Sequence, residues 1–387
     1  TLVRKEGAWV KRVKPVPDDV DEWNQYLHDA DNNGVSSDSV GPPERLQWTG
    51  GTRWGRSHMS WVTVTSMLSA NGRLFTIEDL ETIEYHKLAA RFHLVARDAF
   101  NGCELWRRPL VNWYSTNSYV KFVPTQIQRR AAAIGEKVYC TLGYDEPISV
   151  LDSPSGKVLQ TFAGTANTRE FAIDGGVVYA IVGQPYGDRN QPAARVVTLK
   201  AVSADGGDTV WEEPIGRQGG YVGGTLAVNG ARLAYATGTH VVCCDTAAGE
   251  QLWAVESAAY PGRPGGARRV PGLGSATNTN PTLVLTADMV YCSTLNTVSA
   301  FRLDDGRLAW TAKNTPNYMK GSDIFVADGL VWTGLMVGHD PKTGEVKRRL
   351  TQEMHQPMGH DRCYRNRITQ SYFINSKTGG SDFVALD

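Results

Sequence analysis

The chain has 387 residues, with 40 Lys and Arg against 40 Asp and Glu. This balance excludes the strongly basic surface that is typical of nucleic-acid-binding proteins. No apolar run reaches the roughly 18 residues that a membrane-spanning helix needs. We therefore predict no nucleic-acid partner and no transmembrane segment. The 40 glycines indicate a chain rich in tight turns.

The N-terminal region, residues 1–43, is predicted to be a lead-in segment that precedes the folded domain. Thr1 is not an initiator methionine and no apolar signal segment follows it, so we expect a processed product or a fragment of a longer protein. Carboxylates at the start of residues 18–27 predict one helical turn there. Residues 44–48 end in Trp48 and have the pattern of a short strand.

One sequence phrase occurs six times between residues 96 and 348. In its first copy a small residue, Ala96, is followed by Asp98, Gly102 and Trp106. The six glycines are Gly102, Gly156, Gly207, Gly249, Gly306 and Gly344. The residues four positions after them are Trp106, Gln160, Trp211, Trp253, Trp310 and Arg348. Asp and Gly at this spacing suit a tight turn, so each phrase predicts a β-hairpin that ends in a large side chain.

A second hairpin signal precedes each phrase, as at Asn71-Gly72, Asp174-Gly175 and Asn229-Gly230. Two hairpins make four strands, and the phrases recur at intervals of 38 to 57 residues. That spacing is typical of one propeller blade per repeat. We predict an all-β fold, a β-propeller of four-stranded blades, with seven blades represented in residues 44–387.

The end of the chain leaves two alternatives for the number of blades. Residues 385–387 are the beginning of a seventh phrase. In one alternative, residues 44–48 supply the missing outer strand and close a ring of seven blades, which removes exposed sheet edges. In the other, the parent protein continues and contains eight blades.

The repeated phrase resembles the repeat of the pyrroloquinoline-quinone (PQQ)-type β-propellers. That superfamily includes quinoprotein alcohol dehydrogenases and the propeller lipoprotein of outer-membrane protein assembly. Residues 23–34 also resemble the lead-in of such proteins. The resemblance implies a periplasmic or extracellular location. For a dehydrogenase it also implies PQQ, calcium and a disulfide between adjacent cysteines. Cys243 and Cys244 lie in a predicted strand, where neighbouring side chains point to opposite faces, so we predict buried thiols instead.

The predicted ligand site lies at the axis of the propeller, where the loops that enter the innermost strands open on one face. Arginine recurs in four of the seven segments that enter these strands. The candidate substrate-binding residues are Arg53, Arg56, Arg129, Arg169, Tyr221 and Arg362. Guanidinium groups favour an anionic ligand such as a carboxylate or a sulfate. The alternative is that these arginines pair with local acids such as Glu170 and Asp361.

A second candidate cluster contains His355, His360, Asp361 and Cys363. With His58 from another blade, His360 is suited to bind copper or zinc. Alternatively His58, His360 and Tyr364 are the candidate catalytic residues for proton transfer. A structural network is the third alternative, and no metal site is assigned.

Three functions fit these residues. The first is an exported propeller that binds an anionic carbohydrate or a protein partner at its axial funnel. The second is an oxidoreductase that uses PQQ and calcium, and the third is a polysaccharide lyase that uses His or Tyr with Arg. We find no segment that matches the catalytic Asp and calcium ligands of the quinoproteins. Binding requires the fewest specific residues and is the leading hypothesis.

Overall fold

The computed structural model describes residues 2–11, 18–39, 45–51, 64–80, 91–113, 128–183, 197–256, 281–294, 296–314, 324–333, 336–350, 367–368, 372–377 and 380–385. In these segments the regular structure is almost entirely antiparallel β-sheet, and a short 3-10 turn lies at Ala163–Thr165. A separate N-terminal hairpin consists of β1 (Leu2–Lys5) and β2 (Ala8–Lys11).

Six sheets contain four strands each, and we call each sheet a blade. Blade 1 consists of β3 (Val64–Ala70), β4 (Arg73–Asp79), β5 (Phe92–Asp98) and β6 (Glu104–Pro109). Blade 2 consists of β7 (Ala131–Ile134), β8 (Lys137–Thr141), β9 (Ile148–Asp152) and β10 (Val158–Thr161). Blade 3 consists of β11 (Thr168–Asp174), β12 (Val177–Val182), β13 (Val197–Ser203) and β14 (Thr209–Ile215).

The remaining blades follow the same order. Blade 4 consists of β15 (Ala227–Asn229), β16 (Arg232–Ala236), β17 (His240–Asp245) and β18 (Gln251–Glu256). Blade 5 consists of β19 (Thr282–Leu285), β20 (Met289–Ser293), β21 (Thr297–Arg302) and β22 (Leu308–Lys313). Blade 6 consists of β23 (Phe325–Ala327), β24 (Leu330–Thr333), β25 (Val337–His339) and β26 (Val346–Arg349). A seventh sheet contains β27 (Arg367–Ile368), β28 (Tyr372–Lys377) and β29 (Gly380–Ala385) among the described residues.

Each blade pairs its strands in chain order, and the first strands of blades 1 to 5 lie beside one another in succession. The hydrophobic core lies between blades rather than inside them. Between blades 1 and 2, for example, Phe75 and Leu94 pack with Val138 and Leu151. The predicted all-β fold of four-stranded blades is therefore confirmed.

The repeated phrase joins each blade to the one before it. The phrase spans the third strand, a tight turn and the fourth strand, as predicted. Its glycine has a positive φ, 67° at Gly156, and lies directly under Trp106 of the preceding blade. A Cβ at Gly156 would lie 2.5 Å from the indole ring. The indole N–H of Trp106 donates a hydrogen bond of 2.8 Å to the carbonyl oxygen of Ser153 in the same turn.

The same contact recurs at the junctions from blade 3 to blade 6. Trp211 lies on Gly249, and Trp253 lies on Gly306. The three tryptophans Trp211, Trp253 and Trp310 donate to Thr246, Leu303 and Pro341 at 2.9, 3.0 and 2.8 Å. Thr246 and Leu303 directly follow the last residue of the third strand, as Ser153 does, and Pro341 lies one residue further along the turn.

The junction between blades 2 and 3 differs because the phrase has Gln160 in place of tryptophan. Phe162, two residues later, takes over the contact, and a Cβ at Gly207 would lie 2.5 Å from its ring. The amide of Gln160 donates to the carbonyl oxygen of Gly206 in the adjoining turn. The packing and the hydrogen bond that one indole supplies elsewhere are thus divided between two side chains.

Trp48 makes the same contact with blade 1. Its ring lies against Gly102, and its indole N–H donates to the carbonyl oxygen of Ala99 at 2.9 Å. Trp48 therefore takes the place of an outer-strand tryptophan from a blade that precedes blade 1. Residues 45–51 form no strand in the structure. Ring closure by residues 44–48 and the boundary at residue 44 stay predictions.

The lead-in segment crosses the axial ends of six blades. One backbone N–H near the end of each first strand donates to it, at distances of 2.8 to 3.0 Å. The donors are Ser69, Ala133, Ile173, Val228, Leu285 and Val326. The acceptors are, in the same order, oxygens of Trp23, Asn24, Gln25, Ala30, Asp31 and Asn33. The predicted helical turn at residues 18–27 is wrong, because this segment instead follows the blades and satisfies their inner edges.

Two side-chain amides in this segment act like strand backbone. Gln25 accepts from the N–H of Ile173 at 2.9 Å and donates to its carbonyl oxygen at 2.9 Å. Asn33 accepts from Val326 at 2.8 Å and donates to it at 3.0 Å. A primary amide carries the same donor and acceptor pair as a peptide group. It can therefore pair with an exposed strand edge without a strand of its own.

His28 fixes the fold of the lead-in through two carboxylates. Its Nε2 lies 2.6 Å from Asp21 Oδ2 and its Nδ1 lies 2.7 Å from Asp29 Oδ2. Burial opposes the charged ring, but the bonds and charges of Asp29 and Asp21 outweigh it and raise the pKa of His28. Asp21 also accepts the backbone N–H groups of Ser37 and Glu22. Although burial opposes ionisation of Asp21, these bonds and His28 lower its pKa to about 2.

We predict that Gly156→Ala is far more destabilising than Gly175→Ala. Both glycines have positive φ, 67° and 53°, but a Cβ at Gly175 would have no neighbour within 4 Å. Backbone strain alone costs about 1 kcal/mol at Gly175, and displacement of Trp106 adds about 2 kcal/mol at Gly156. Urea unfolding of both variants measures the difference. Equal losses would show that the Trp106 contact contributes nothing.

We also predict that the contribution of His28 to stability falls as pH rises. Because its pKa in the folded state is raised above 6.5, the contribution is complete below that pH and disappears as pH rises through the folded-state pKa. His28→Asn is the matched variant, since Asn accepts the positive φ of 73° at this position. Urea unfolding from pH 5 to pH 9 should show the two proteins converging. A constant difference would contradict a charged His28.

Candidate functional site

Two of the predicted site residues, Arg129 and Tyr221, lie with Glu170 where the innermost strands begin. Arg129 precedes β7, Glu170 lies in β11 and Tyr221 precedes β15. Glu170 Oε1 accepts the hydroxyl of Tyr221 at 2.6 Å and the N–H of Gly224 at 2.7 Å. Arg129 Nη1 lies 3.8 Å from Glu170 Oε2. Arg129, Glu170 and Tyr221 thus come together from three blades, and we call them the axial cluster.

Arg129 also binds the lead-in. Its Nη2 donates to Asn32 Oδ1 at 2.7 Å, and its Nη1 donates to the carbonyl oxygen of Leu226 at 2.9 Å. Asn32 in turn donates to the carbonyl oxygens of Leu226 and Leu283. The guanidinium carbon lies 5.6 Å from the centre of the Tyr26 ring. Arg129 therefore connects blades 2 and 4 with the lead-in, and only 4% of it is exposed.

Burial dominates the electrostatics of the axial cluster. Burial raises the pKa of Glu170, although Arg129, the Tyr221 hydroxyl and the N–H of Gly224 oppose the rise. Burial and the neighbouring Glu170 raise the pKa of Tyr221 well above 10, so its hydroxyl stays a donor. Among the described residues, Glu170 Oε2 and Arg129 Nε have no hydrogen-bond partner. Arg129 and Glu170 therefore form an ion pair whose atoms are further apart than in a hydrogen bond.

Arg169 lies between blades 2 and 3 and is fully buried. It donates to the carbonyl oxygen of Tyr144 and to Asp145 Oδ1, both at 2.7 Å, and to the carbonyl oxygen of Gly183 at 3.2 Å. Its guanidinium carbon lies 4.3 Å from the centre of the Tyr144 ring. These contacts stabilise the junction between two blades. Ligand binding by Arg129, Arg169 and Tyr221 stays a prediction.

The other predicted site residues lie outside the described residues. They are His58, His360, Tyr364, Arg53, Arg56 and Arg362, together with the rest of the histidine cluster. Their predicted roles in catalysis, anion binding and metal binding stay predictions. In the described part of the chain, no three His, Cys, Asp or Glu side chains are grouped so as to hold a metal ion. Within the same segments we find no helix with the length and apolarity needed to cross a bilayer.

The adjacent cysteines are buried thiols, as predicted. Cys243 packs in the core between blades 4 and 5, whereas Cys244 packs in the core between blades 3 and 4. Both are free, and burial raises their pKa values to about 11 and about 12. Their side chains point to opposite faces of β17, which prevents the disulfide that the quinoprotein resemblance implies.

Sequence reasoning missed the contribution of the lead-in to the axis. It identified residues 23–34 as a typical lead-in but gave them no structural role. The signal was the density of amide side chains at Asn24, Gln25, Asn32 and Asn33. Such side chains suit the unpaired inner edges of β-sheets.

Known proteins share this architecture. A family model described as outer membrane protein assembly factor BamB matches residues 195–380. The structure of BamB from Moraxella catarrhalis has a TM-score of 0.51 and 17% identity, and the alignment covers 83% of this chain and 82% of that one. The chain has the fold of the PQQ-like β-propellers.

Two quinoprotein structures share the propeller fold. A quinohemoprotein alcohol dehydrogenase from Comamonas testosteroni has a TM-score of 0.55 and 11% identity, over 94% of this propeller and 71% of that chain. A europium-containing methanol dehydrogenase has a TM-score of 0.57 and 10% identity, over 94% of this propeller and 83% of that chain. A search of curated proteins found no significant match. At these identities the likeness concerns the fold alone.

The described residues of this propeller do not fit PQQ and calcium. Cys243 and Cys244 cannot form the disulfide expected over a quinone. At the axis, Arg129 is directed to Asn32 and Leu226, and Glu170 to Tyr221 and Gly224. We therefore derive no reaction step through a quinone.

We predict that Arg129→Met destabilises the propeller by about 3 kcal/mol, because it leaves the carboxylate of Glu170 buried without its counter-charge. Glu170→Gln in the same chain should recover part of that loss. Urea unfolding of the two single variants and the double variant measures the coupling. Lys157→Met, at an exposed turn, is the control and should change stability by less than about 0.5 kcal/mol. Additive effects of the two axial substitutions would contradict the pairing.

Proposed function

We propose that this propeller is an exported, non-catalytic binding scaffold that holds a protein partner on its outer surface. The observation that carries the proposal is the bonding at the axis. Arg129, Glu170, Tyr221 and Arg169 bind one another, neighbouring backbone or the lead-in. An enzyme with its active site at the axis would direct such polar groups at a substrate. Here the polar groups of these residues stabilise the fold instead.

The outer strands support the proposal by their exposed apolar side chains. The outer strand of each of the six blades has one aliphatic residue with 44% to 56% of its surface exposed. These residues are Leu105, Leu159, Val210, Leu252, Leu308 and Val346. Every one of the six outer strands also has an irregular register near this point, which twists the edge and disfavours strand-to-strand aggregation. Exposed apolar side chains on a sheet edge that disfavours aggregation suit contact with a specific protein partner.

Similarity to an outer-membrane assembly factor supports a location in the cell envelope and a protein as the partner. Nothing in the described residues favours a polysaccharide. Binding of an anionic ligand by Arg53, Arg56 and Arg362 at the axial opening remains a separate proposal that rests on the sequence.

In-cell photocrosslinking tests the binding proposal. A photoreactive amino acid replaces Leu105, Val210 or Leu252 in the parent protein in its native host, and adducts are identified by mass spectrometry. We expect one recurrent protein adduct, stronger from one side of the ring than from the other. Substitution at Ile134, exposed on a hairpin turn of blade 2, is the control for random collisions.

Activity assays test whether the protein is instead an enzyme. The purified protein is incubated with PQQ, calcium, an alcohol and a redox dye, and separately with acidic polysaccharide. We expect neither dye reduction nor unsaturated uronate. Turnover in either assay would overturn the scaffold proposal, as would the absence of any recurrent adduct.

A further inference from the structure

Three cations occupy one equivalent position at the start of the second strand of their blades. In the strand registers Arg73 lies opposite Asp98, Lys137 opposite Asp152, and Arg232 opposite Asp245. Each opposing Asp ends the third strand at the turn of the repeated phrase. The three cations therefore face the same kind of boundary, the one with the following blade.

Two of these cations bridge to the following blade. Arg73 Nη1 lies 2.9 Å from Glu136 Oε2 on the hairpin turn of blade 2. Lys137 Nζ lies 2.7 Å from Asp205 Oδ1 on a turn of blade 3. These ion pairs connect blade 1 with blade 2 and blade 2 with blade 3 at their turns.

Arg232 makes no such bridge. Its Nη1 donates to the carbonyl oxygen of the adjacent Ala231 at 3.0 Å, and no acidic side chain in the described part of the chain lies within ion-pair distance. The counterpart of Glu136 in blade 5 is Asp288, since each residue precedes the first residue of its second strand. Asp288 accepts the hydroxyl of Thr286 at 3.2 Å instead. Aspartate is one methylene shorter than glutamate, so its carboxylate extends less far from the backbone.

A groove of about 830 Å³ lies where the bridge is missing, between the turns of blades 4 and 5, and Lys342 on a turn of blade 6 completes its lining. This volume is within the range of ligand-binding clefts. The residues that decide its character are Arg232, Asp288, Met289, Leu303, Ala309 and Lys342. Met289, Leu303 and Ala309 supply apolar surface between the charged groups.

The unpaired charges of the groove are predominantly positive. Arg232 and Lys342 have no acidic partner among the described residues, whereas Arg302 in the same wall pairs with Asp304 and Asp305. Asp288 is the one acidic side chain of the lining that is not in an ion pair within the described residues. Guanidinium binds carboxylate through forked, charge-assisted hydrogen bonds. The combination suits a chain segment with carboxylates and an apolar side chain between them.

We propose that this groove docks an extended acidic segment of a protein partner. The inference rests on the proposed binding function and specifies the surface and the chemistry of the partner. The carboxylates of the segment pair with Arg232 and Lys342, and an apolar side chain packs against Met289 and Leu303. The missing bridge between blades 4 and 5 is the structural reason for its location.

Binding of a defined peptide tests the groove on the intact chain. The probe is a fluorescent ten-residue peptide in which aspartate alternates with leucine, and its control has asparagine for aspartate. Fluorescence anisotropy should show saturable binding of the acidic peptide that weakens with salt. Arg232→Glu should weaken it by about tenfold, as expected for reversal of one close charge contact.

Two further variants separate the groove from general charge effects. Asp288→Glu keeps the net charge but restores the length found at Glu136, so it should form the bridge to Arg232, close the groove and weaken binding. Lys157→Glu removes an exposed cation from a turn of blade 2 and should leave binding unchanged apart from a small electrostatic effect. Circular dichroism checks that each variant is folded.

The outcomes separate this inference from the binding function itself. Absence of saturable binding by the folded wild-type chain would overturn the groove proposal, and so would equal affinity in the Arg232→Glu, Asp288→Glu and Lys157→Glu variants. In cells, a recurrent adduct that persists in Arg232→Glu would overturn the groove and leave the scaffold function standing. Loss of that adduct in Arg232→Glu but not in Lys157→Glu would support both.

Discussion

The structure depends on the contact between a large outer-strand side chain and the glycine of the next blade. A residue with a side chain at this position would displace the ring, because its Cβ would overlap Trp106, Trp211 or Trp253. The indole N–H then fixes the angle between blades through a carbonyl oxygen of the same turn. The same packing and hydrogen bond recur at successive junctions, and between blades 2 and 3 they are divided between Phe162 and Gln160. Trp48 extends the series by one position before blade 1.

The lead-in supplies a different constraint, because it acts on all six described blades together. Propeller blades contact mainly their neighbours, so their stability is approximately a sum of local terms. Residues 23–33 are an exception, because they accept a hydrogen bond from the first strand of each blade from blade 1, at Ser69, to blade 6, at Val326. Arg129 couples this segment to the axial cluster through Asn32. Among the described residues, the polar groups at the axis therefore stabilise the fold, whereas the exposed apolar side chains lie mainly on the turns and outer strands.

Much of the fold was predictable because its signals are local. The spacing from Asp98 to Gly102 and Trp106 specifies a turn and a packing partner within nine residues, and it recurs unchanged. The site was less predictable because it depends on separation in space. Sequence placed Arg129, Glu170 and Tyr221 near the axis and offered Glu170 as a partner for the arginines. It could not choose between such pairing and ligand binding, and it did not identify Asn32 as a partner of Arg129. The groove at Arg232 could not be predicted from the sequence for a similar reason, since it depends on the length of the Asp288 side chain in the next blade.

The hydrogen bonds of the lead-in also bear on the order of events during synthesis. Asn33 leaves the ribosome 293 residues before its partner Val326. Contacts between such distant parts of a chain slow folding, because a large loop must close before they form. The amides of Asn24, Gln25 and Asn33 must therefore remain solvated while the blades accumulate. A nascent propeller would have open inner edges until this segment takes its final position, and that interval is when it is most exposed to misassembly.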